Sequence, residues 1–293
     1  MYGLPHGRHT LPAVARTMFA APVPGGVLGG WRAGTGPRVL LLHGGPGLDF
    51  GYMDELAEEL GDRFELAAYQ QRGLAPSTTE GPFEVAREVA DAVAVLDALD
   101  WDRAWVVGHS WGGHLLLHLM VAAPQRLQGG LAIDPLGGVG DGGAAIFEAQ
   151  IYARTTEEDR RRAEELDARA MAGEGTEEES IESIRLVWPA YFASPDNVPP
   201  FPQFAGSIPA YSGIWASLQA ELPRLEAALP EITIPFGCVA GRASPMPIEH
   251  AAAPTVRAIQ GAWLEAVDGA GHLPWFERPG CVRQGLQRLI AGA

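Results

Sequence analysis

Apolar runs and helical patterns alternate along the first 134 residues of the chain. Continuous apolar segments predict strands at 38–43, 64–69 and 104–108, with 131–134 as the end of a further strand. Apolar residues at helical spacing predict helices at 52–60, 84–99 and 111–123. Two short extended runs around Pro24, Gly25 and Gly26 predict a hairpin within 17–32. Because the strands show no polar alternation, they indicate an α/β fold whose mostly parallel sheet carries helices on both faces.

This alternation stops after Asp134 and resumes at Pro235. The interruption contains a glycine-rich stretch, two charged helical patterns and a loop rich in proline and aromatic residues, at 137–143, 154–172, 177–187 and 188–202. The resumed pattern predicts a strand, a helix, a strand and a closing helix at 236–240, 248–260, 263–267 and 281–290. We therefore predict a core formed by residues 1–134 and 233–293, and a helical cap, or lid, formed by residues 135–232.

Composition and charge narrow the classes of function. The chain has 293 residues, of which 36 are acidic and 21 basic, and its net charge of −15 argues against nucleic acid as a partner. No stretch approaches the roughly 18 apolar residues that span a bilayer. Pro12 and Arg16 interrupt the apolar run that a signal peptide needs. Because Cys238 and Cys281 lie in apolar segments, we expect reduced thiols and a cytoplasmic protein.

The segment Gly108-His109-Ser110-Trp111-Gly112-Gly113 lies between a predicted buried strand and an apolar helix. A nucleophile on so tight a turn has a strained backbone, and small residues two positions away on either side avoid a clash. Gly108 and Gly112 meet this requirement. The helix that begins at Trp111 directs its first N–H groups towards Ser110, where negative charge would develop during attack on a carbonyl. The pattern predicts Ser110 as a catalytic nucleophile.

A second motif, His43-Gly44-Gly45-Pro46-Gly47, follows the first predicted parallel strand. With these two motifs the chain resembles the α/β-hydrolase superfamily, most closely its proline iminopeptidase-like branch. The resemblance implies a catalytic triad and an oxyanion hole formed by the backbone N–H groups of Gly45 and Trp111. Pro46 has no N–H and could not serve there. We predict that the ring of His43 braces this loop and does not transfer protons.

The nucleophile also needs a base, because a neutral serine hydroxyl reacts poorly at pH 7. His272, in the segment 269–275, follows the last predicted strand and matches the Gly-His pair that the family has before its final helix. We predict that it is the base. His114 and His118 have the spacing of a helical metal pair, but no Glu lies between them and no third ligand is evident. We therefore predict no metal, and no cofactor, because no G-x-G-x-x-G follows a strand.

The acid of the triad is where this sequence departs from the family. Relatives usually carry Gly-Arg-x-Asp after the seventh strand, whereas residues 241–244 are Gly-Arg-Ala-Ser. Asp134 is the predicted replacement, because it closes the strand beside that of the nucleophile and because some branches, including haloalkane dehalogenases and zearalenone lactonases, take their acid from this position. Glu249, Asp268 and the absence of any acid remain alternatives.

A second departure concerns the substrate. The family's Asp-Gln-Arg-Gly is replaced by residues 70–73, Gln-Gln-Arg-Gly. We predict a serine hydrolase that cleaves a small carboxylic ester or lactone through an acyl-enzyme, with release of N-terminal proline from peptides as the alternative. A hydrolase-fold binding protein that has lost turnover is a third possibility. The side chains predicted to line the substrate pocket, for which core packing is the competing interpretation, are Trp188, Tyr191, Phe192 and Trp215.

Overall fold

A computed structural model describes residues 15–293, so Pro12 lies outside the described residues. The strands are β1 (Thr17–Val23), β2 (Gly26–Ala33), β3 (Arg38–Leu42), β4 (Glu65–Tyr69), β5 (Ala104–His109), β6 (Leu127–Ile133), β7 (Phe236–Gly241) and β8 (Trp263–Val267). They form one sheet in the order β1-β2-β4-β3-β5-β6-β7-β8. The β1–β2 and β2–β4 pairs are antiparallel, and all the other pairs are parallel. The predicted hairpin and the predicted mostly parallel sheet are confirmed.

Ten α-helices connect or flank these strands in the part of the chain that is described. They are α1 (Asp54–Leu60), α2 (Val85–Ala98), α3 (Trp111–Ala122), α4 (Ala144–Ala153), α5 (Glu157–Met171), α6 (Glu177–Val187), α7 (Ile208–Ala228), α8 (Ala252–Ala258), α9 (Pro274–Glu277) and α10 (Cys281–Ala291). None of the helices within residues 15–293 combines the length and the apolar character needed to cross a membrane.

Alternate residues of the central strands serve two different cores. On β3, Leu40 and Leu42 belong to the core beneath α2, α3 and α7, whereas Val39 and Leu41 belong to the core beneath α1 and α10. All four side chains are at most 1% exposed. This two-sided burial explains why the strands read as continuous apolar runs, and it confirms the predicted α/β class.

The region between β6 and β7 contains four helices, α4 to α7. The charged patterns match α5 and α6, but α4 and the 21-residue α7 were not predicted, and the helix expected at 248–260 is shorter, at Ala252–Ala258. The glycine-rich stretch is held in place, because Gly137 N–H bonds to Gly142 O and Gly138 N–H bonds to Thr255 Oγ1. A small apolar cluster of its own joins α4, α5, α6 and the turn that follows them, through Ile151, Ala163, Val187 and Ala190.

Both cysteines are buried and free, in agreement with the expected reduced thiols.

Glu88 on α2 is a buried acidic residue, and its two carboxyl oxygens have no hydrogen-bond partner among the described residues. Nearby, Arg72 and Asp91 form a fully buried ion pair, with Nε and Oδ2 2.6 Å apart. Burial, together with the charge of Asp91, raises the pKa of Glu88 to about 8. Glu88 is therefore protonated at neutral pH in the folded protein.

The proton on Glu88 makes the free energy of unfolding depend on pH. The pKa of Glu88 in the folded chain lies above its ordinary value of 4.5. At pH values between 4.5 and about 8, folding is therefore accompanied by proton uptake. The free energy of unfolding should fall by up to ~1.4 kcal/mol per pH unit as pH rises towards 8. Urea unfolding of Glu88→Gln at pH 6 and pH 8 should show that this fall is lost. Glu84→Gln, at an exposed position, should keep the parent pH dependence of the free energy of unfolding. The same change in this free energy between pH 6 and pH 8 in both variants would contradict the raised pKa of Glu88.

Candidate active site

Ser110 lies on the sharp turn between β5 and α3. Its backbone has φ +54° and ψ −117°, which places a non-glycine residue in a sparsely populated conformation. Its N–H donates to Ile133 O at 3.0 Å. A Cβ on Gly108 would lie 2.1 Å from Gly112 O, and a Cβ on Gly112 would lie 2.2 Å from Leu42 O. The strained turn therefore depends on both glycines, as the sequence predicts.

Asp134 follows β6 and His272 lies in the loop after β8, and the two side chains meet at the end of β7, the strand between them. His272 Nδ1 lies 2.5 Å from Asp134 Oδ2, and both side chains are buried. Gly241 N–H donates to Asp134 Oδ1 at 3.1 Å, and the Ser244 hydroxyl donates to Oδ2 at 2.5 Å. The Ser244 oxygen also accepts the Met246 N–H at 3.0 Å, so this hydroxyl accepts from the backbone and donates to the carboxylate. The serine that stands at the family's usual acid position thus contacts the predicted acid.

The electrostatic environment suits a neutral imidazole beside a carboxylate. Burial lowers the pKa of His272 to about 3, so its ring is neutral at pH 7 and able to accept a proton. Burial raises the pKa of Asp134 above its ordinary value, although the hydrogen bonds from Ser244 and Gly241 oppose this shift. Three donors converge on the two oxygens of Asp134, and only the ionised carboxylate accepts all of them without contributing a proton of its own. With its Nδ1 proton directed at Asp134, His272 has Nε2 free to act as a base.

The two alternative acids are on the surface. Glu249 is 3.9 Å from Arg257 and its side chain is 78% exposed. Asp268 is 2.6 Å from Arg242 and its side chain is 86% exposed. Both carboxylates therefore face arginines and solvent, and Asp134 is the carboxylate that contacts His272.

Aromatic rings surround His272. The ring of Tyr191 is 5.5 Å from the His272 ring, and the backbone carbonyl of Tyr191 accepts the backbone N–H of His272 at 2.7 Å. Phe147, on α4, places its ring 5.2 Å from that of His272. Sequence reasoning missed Phe147, because α4 follows a glycine-rich stretch and has no amphipathic pattern that distinguishes one apolar side chain from another.

The other predicted pocket residues lie farther from the base. Trp188 packs against the rings of Tyr191, Phe192, Phe201 and Phe204, and Phe192 also packs against Phe276. Trp215 stacks in parallel with Tyr211 on α7, with ring centroids 6.4 Å apart. Of the four predicted residues, Tyr191 is the one whose ring contacts His272. Trp188 and Phe192 are buried within the aromatic cluster.

The loop after β3 brings two glycines next to Ser110. A Cβ on Gly44 would lie 2.9 Å from Ser110 Cβ, so a side chain there would crowd the serine. Gly45 has φ +66°, which favours glycine. Gly44 N–H donates to the Tyr52 hydroxyl at 2.6 Å, whereas the N–H groups of Gly45 and Trp111 have no hydrogen-bond partner among residues 15–293. Two donors are thus available beside Ser110.

His43 and Gln71 support this loop. His43 Nε2 accepts the Gln71 N–H at 3.1 Å, and Gln71 Nε2 donates to His43 O at 2.9 Å. Trp111 Nε1 donates to Gln71 Oε1 at 2.8 Å, which connects the loop to the start of α3. Burial lowers the pKa of His43 to about 4, so the ring is neutral. These contacts fit the prediction that His43 braces the loop.

Two further sequence features have structural partners. Gln70, which replaces the family's Asp, accepts Phe50 N–H at 3.1 Å and donates to Leu48 O at 3.0 Å. His114 and His118 approach each other, with their Nε2 atoms 3.2 Å apart. No group of three or more His, Cys, Asp or Glu side chains in the described part of the chain is arranged to hold a metal ion.

No hydrogen bond joins the Ser110 hydroxyl to His272 among the described residues. Such bonds are often long before a substrate binds and shorten in the reacting complex. His109, the residue before Ser110, nevertheless contacts His272. His109 Nε2 lies 2.9 Å from the backbone oxygen of His272, and the two histidine rings are 4.8 Å apart. The structure therefore brings together a strained serine, a neutral histidine, a buried carboxylate and two free N–H groups.

Comparisons with known proteins agree with this architecture. Residues 39–281 match the model of the alpha/beta hydrolase family. Epoxide hydrolase B of Mycobacterium tuberculosis is 31% identical over 109 residues, which cover 36% of this chain and 31% of that protein. Proline iminopeptidase of Elizabethkingia meningoseptica is 37% identical over 107 residues, which cover 33% of this chain and 36% of that protein. The chain thus spans about a third of the length of the curated relatives it matches.

Solved structures extend the likeness over almost the whole chain. A 2-hydroxy-6-oxo-6-phenylhexa-2,4-dienoate hydrolase from Rhodococcus has a TM-score of 0.69 at 18% identity, covering 95% of this chain and 99% of that one. A proline iminopeptidase-related protein from Thermus thermophilus has a TM-score of 0.66 at 21% identity, covering 94% and 98%. At these identities the likeness shows the fold, and it confirms the α/β-hydrolase fold that the motifs imply.

Proposed function

The chain belongs to the alpha/beta hydrolase family, and we propose that it is a serine hydrolase with Ser110, His272 and Asp134 as its catalytic triad. The main support is the 2.5 Å hydrogen bond between His272 Nδ1 and Asp134 Oδ2, formed next to a serine with a strained backbone. This bond fixes the tautomer in which His272 Nε2 can accept the proton of Ser110.

In the proposed reaction, Ser110 Oγ attacks the carbonyl carbon of the substrate while His272 Nε2 takes the hydroxyl proton. The N–H groups of Gly45 and Trp111 donate to the developing oxyanion, and Asp134 stabilises the imidazolium. The C–O bond to the leaving alcohol then breaks, and that oxygen receives the proton from His272. Water, deprotonated by His272, attacks the acyl-enzyme, and the carboxylic acid is released as Ser110 regains its proton.

The proposed substrate is a small carboxylic ester or lactone. The rings of Phe147 and Tyr191 lie beside His272, so an apolar acyl group would bury its surface against them. Relatives are named as a putative carbamate hydrolase, from Caulobacter segnis, and as a proline iminopeptidase. Carbamates and prolyl peptides are also acyl compounds, and the same serine chemistry would serve them. Release of N-terminal proline therefore stays the alternative.

We also propose that residues 135–232 act as a lid over the triad. Contacts from this segment reach both catalytic loops: Ser207 N–H donates to Gly47 O at 2.8 Å, and Glu277 accepts from Ala193 N–H at 2.9 Å and from Gly271 N–H at 2.6 Å. A segment tied to the oxyanion loop and to the histidine loop can couple substrate entry to the geometry of the site.

Labelling with a fluorophosphonate probe, followed by a substrate panel, tests this proposal. An activated Ser110 should form a covalent adduct that mass spectrometry locates on residue 110. Among p-nitrophenyl esters, lactones and proline β-naphthylamide, we expect the esters or lactones to have the highest kcat/KM. Preference for the proline amide would favour the alternative activity. An unlabelled, inactive protein would instead be the hydrolase-fold binding protein and would overturn the proposal.

A further inference from the structure

A buried chain of hydrogen bonds connects three segments of the candidate site. Gly44 N and Tyr52 Oη are 2.6 Å apart, Tyr52 Oη and His109 Nδ1 are 2.7 Å apart, and His109 Nε2 and His272 O are 2.9 Å apart. Gly44 adjoins the proposed oxyanion donor Gly45, and His109 precedes Ser110. We call these four groups the Tyr52–His109 chain.

The proton positions in this chain follow from its two ends. A carbonyl oxygen only accepts, so His109 Nε2 must carry the proton that faces His272 O. Burial, with a smaller contribution from the neighbouring His272, lowers the pKa of His109 well below its ordinary value, so the ring is neutral and Nδ1 is an acceptor. The Tyr52 hydroxyl therefore donates to His109 Nδ1 and accepts from Gly44 N–H. Every bond in the chain has a single direction.

The surroundings of Tyr52 fix the position of its hydroxyl. The Tyr52 ring packs edge-on against Phe204 at 5.8 Å and is stacked with Trp275 at 6.3 Å, while His109 meets Trp275 edge-on at 4.9 Å. Tyr52 and His109 are 8% and 3% exposed. A hydroxyl held this tightly can orient the Gly44 N–H, and with it the His43–Gly44 peptide plane, which adjoins the Gly44–Gly45 peptide that carries the Gly45 N–H.

We propose that Tyr52 and His109 are positioning residues, which hold the Gly44-Gly45 segment so that the Gly45 N–H faces the oxyanion formed on the carbonyl attacked by Ser110. This inference rests on the proposed serine hydrolase function. By occupying the Gly44 N–H, Tyr52 also leaves Gly45 as the donor from this loop. The Tyr52–His109 chain also orients the backbone carbonyl of His272. The oxyanion loop, the nucleophile's turn and the base are therefore held by the same hydrogen bonds.

Tyr52→Phe tests this proposal, because it removes the hydroxyl and keeps the packed ring. Loss of a direct oxyanion donor costs about 10²- to 10³-fold in kcat, so loss of its support should cost less, on the order of 10- to 100-fold, with KM nearly unchanged. A trifluoromethyl ketone adds to Ser110 and places an oxyanion in the same site. Its inhibition constant should rise by the factor by which kcat/KM falls.

A purely structural effect would give a different result. A partly unfolded variant would lose active sites, counted by fluorophosphonate titration, while its remaining sites kept the parent inhibition constant. Tyr69→Phe is the matched control, because Tyr69 is also buried and its hydroxyl has no hydrogen-bond partner among the described residues. We expect that control to retain the parent kcat and the parent inhibition constant.

His109→Asn provides a second, independent variant. It removes the Nε2 donor to His272 O, and combining it with Tyr52→Phe should cost less than the product of the two single losses, because both act through one chain. A labelled and active parent whose Tyr52→Phe variant keeps its kcat and inhibition constant would overturn this inference alone. An unlabelled, inactive parent would overturn the proposed function and this inference together.

Discussion

Ser110→Ala is expected to lower the rate of hydrolysis by about 10⁴-fold or more, on any substrate that the parent protein turns over. Without Oγ no acyl-enzyme forms, and the residual rate comes from binding and from the Gly45 and Trp111 donors. Fluorophosphonate labelling should disappear as well. Single-turnover kinetics with a p-nitrophenyl ester measures this loss directly, because the burst of p-nitrophenol reports acylation.

The comparison variant is Ser212→Ala, since Ser212 is an exposed serine on α7. It should keep the parent rate, and both variants should unfold near the parent melting temperature. Alanine at position 110 inherits φ +54°, so the backbone strain of the turn is present in the parent and in the variant alike. Retention of most activity in Ser110→Ala would exclude covalent catalysis by this residue.

Local sequence signals sufficed for most of the individual strands and for the nucleophile's turn. The strand β8 was predicted at its observed bounds, because apolar runs flanked by helical patterns depend on neighbours in the chain. The conformation of Ser110 is likewise set within five residues, by Gly108 and Gly112. Such features need no knowledge of what packs against them.

Helix α7, which was not predicted, shows the limit of a local rule. Proline commonly ends a helix, yet Pro209 lies in the first turn, where its missing N–H costs nothing, and Pro223 is accommodated within the helix. The signal was present in the apolar spacing of buried residues along one face, at Ala210, Ile214, Leu218, Leu222 and Leu225. Packing of that face against the core outweighs the cost of one proline.

The features that the sequence did not predict depend on contacts between residues far apart in the chain. Tyr52 was assigned to the apolar face of a helix, but its hydroxyl reaches His109, 57 residues away. Ser244 was taken as the loss of an acid, whereas its hydroxyl donates to Asp134 across 110 residues. The first contact requires β3 to lie beside β5, the second requires β6 to lie beside β7, and local sequence fixes neither adjacency. Asp134 itself was predicted from its position at the end of β6.

Asp134→Asn is expected to lower the hydrolysis rate by about 10³- to 10⁴-fold with little change in melting temperature. The Gly241 N–H bond to Oδ1 would hold the new amide oxygen in that place, so its NH₂ group would face Ser244 and His272. Facing a donor, His272 Nδ1 must become an acceptor. The ring proton then moves to Nε2, and the nitrogen that should accept the proton of Ser110 is already occupied.

Glu249→Gln and Asp268→Asn are the matched comparisons, because each changes a carboxylate to an amide on the exposed loops after β7 and β8. Both should retain the parent rate. The loss in Asp134→Asn should appear in kcat, with KM nearly unchanged, because the tautomer affects proton transfer and not substrate contact. If Asp134→Asn were almost fully active and Glu249→Gln were inactive, the acid would come from the segment after β7, and the triad proposed for this chain would be wrong.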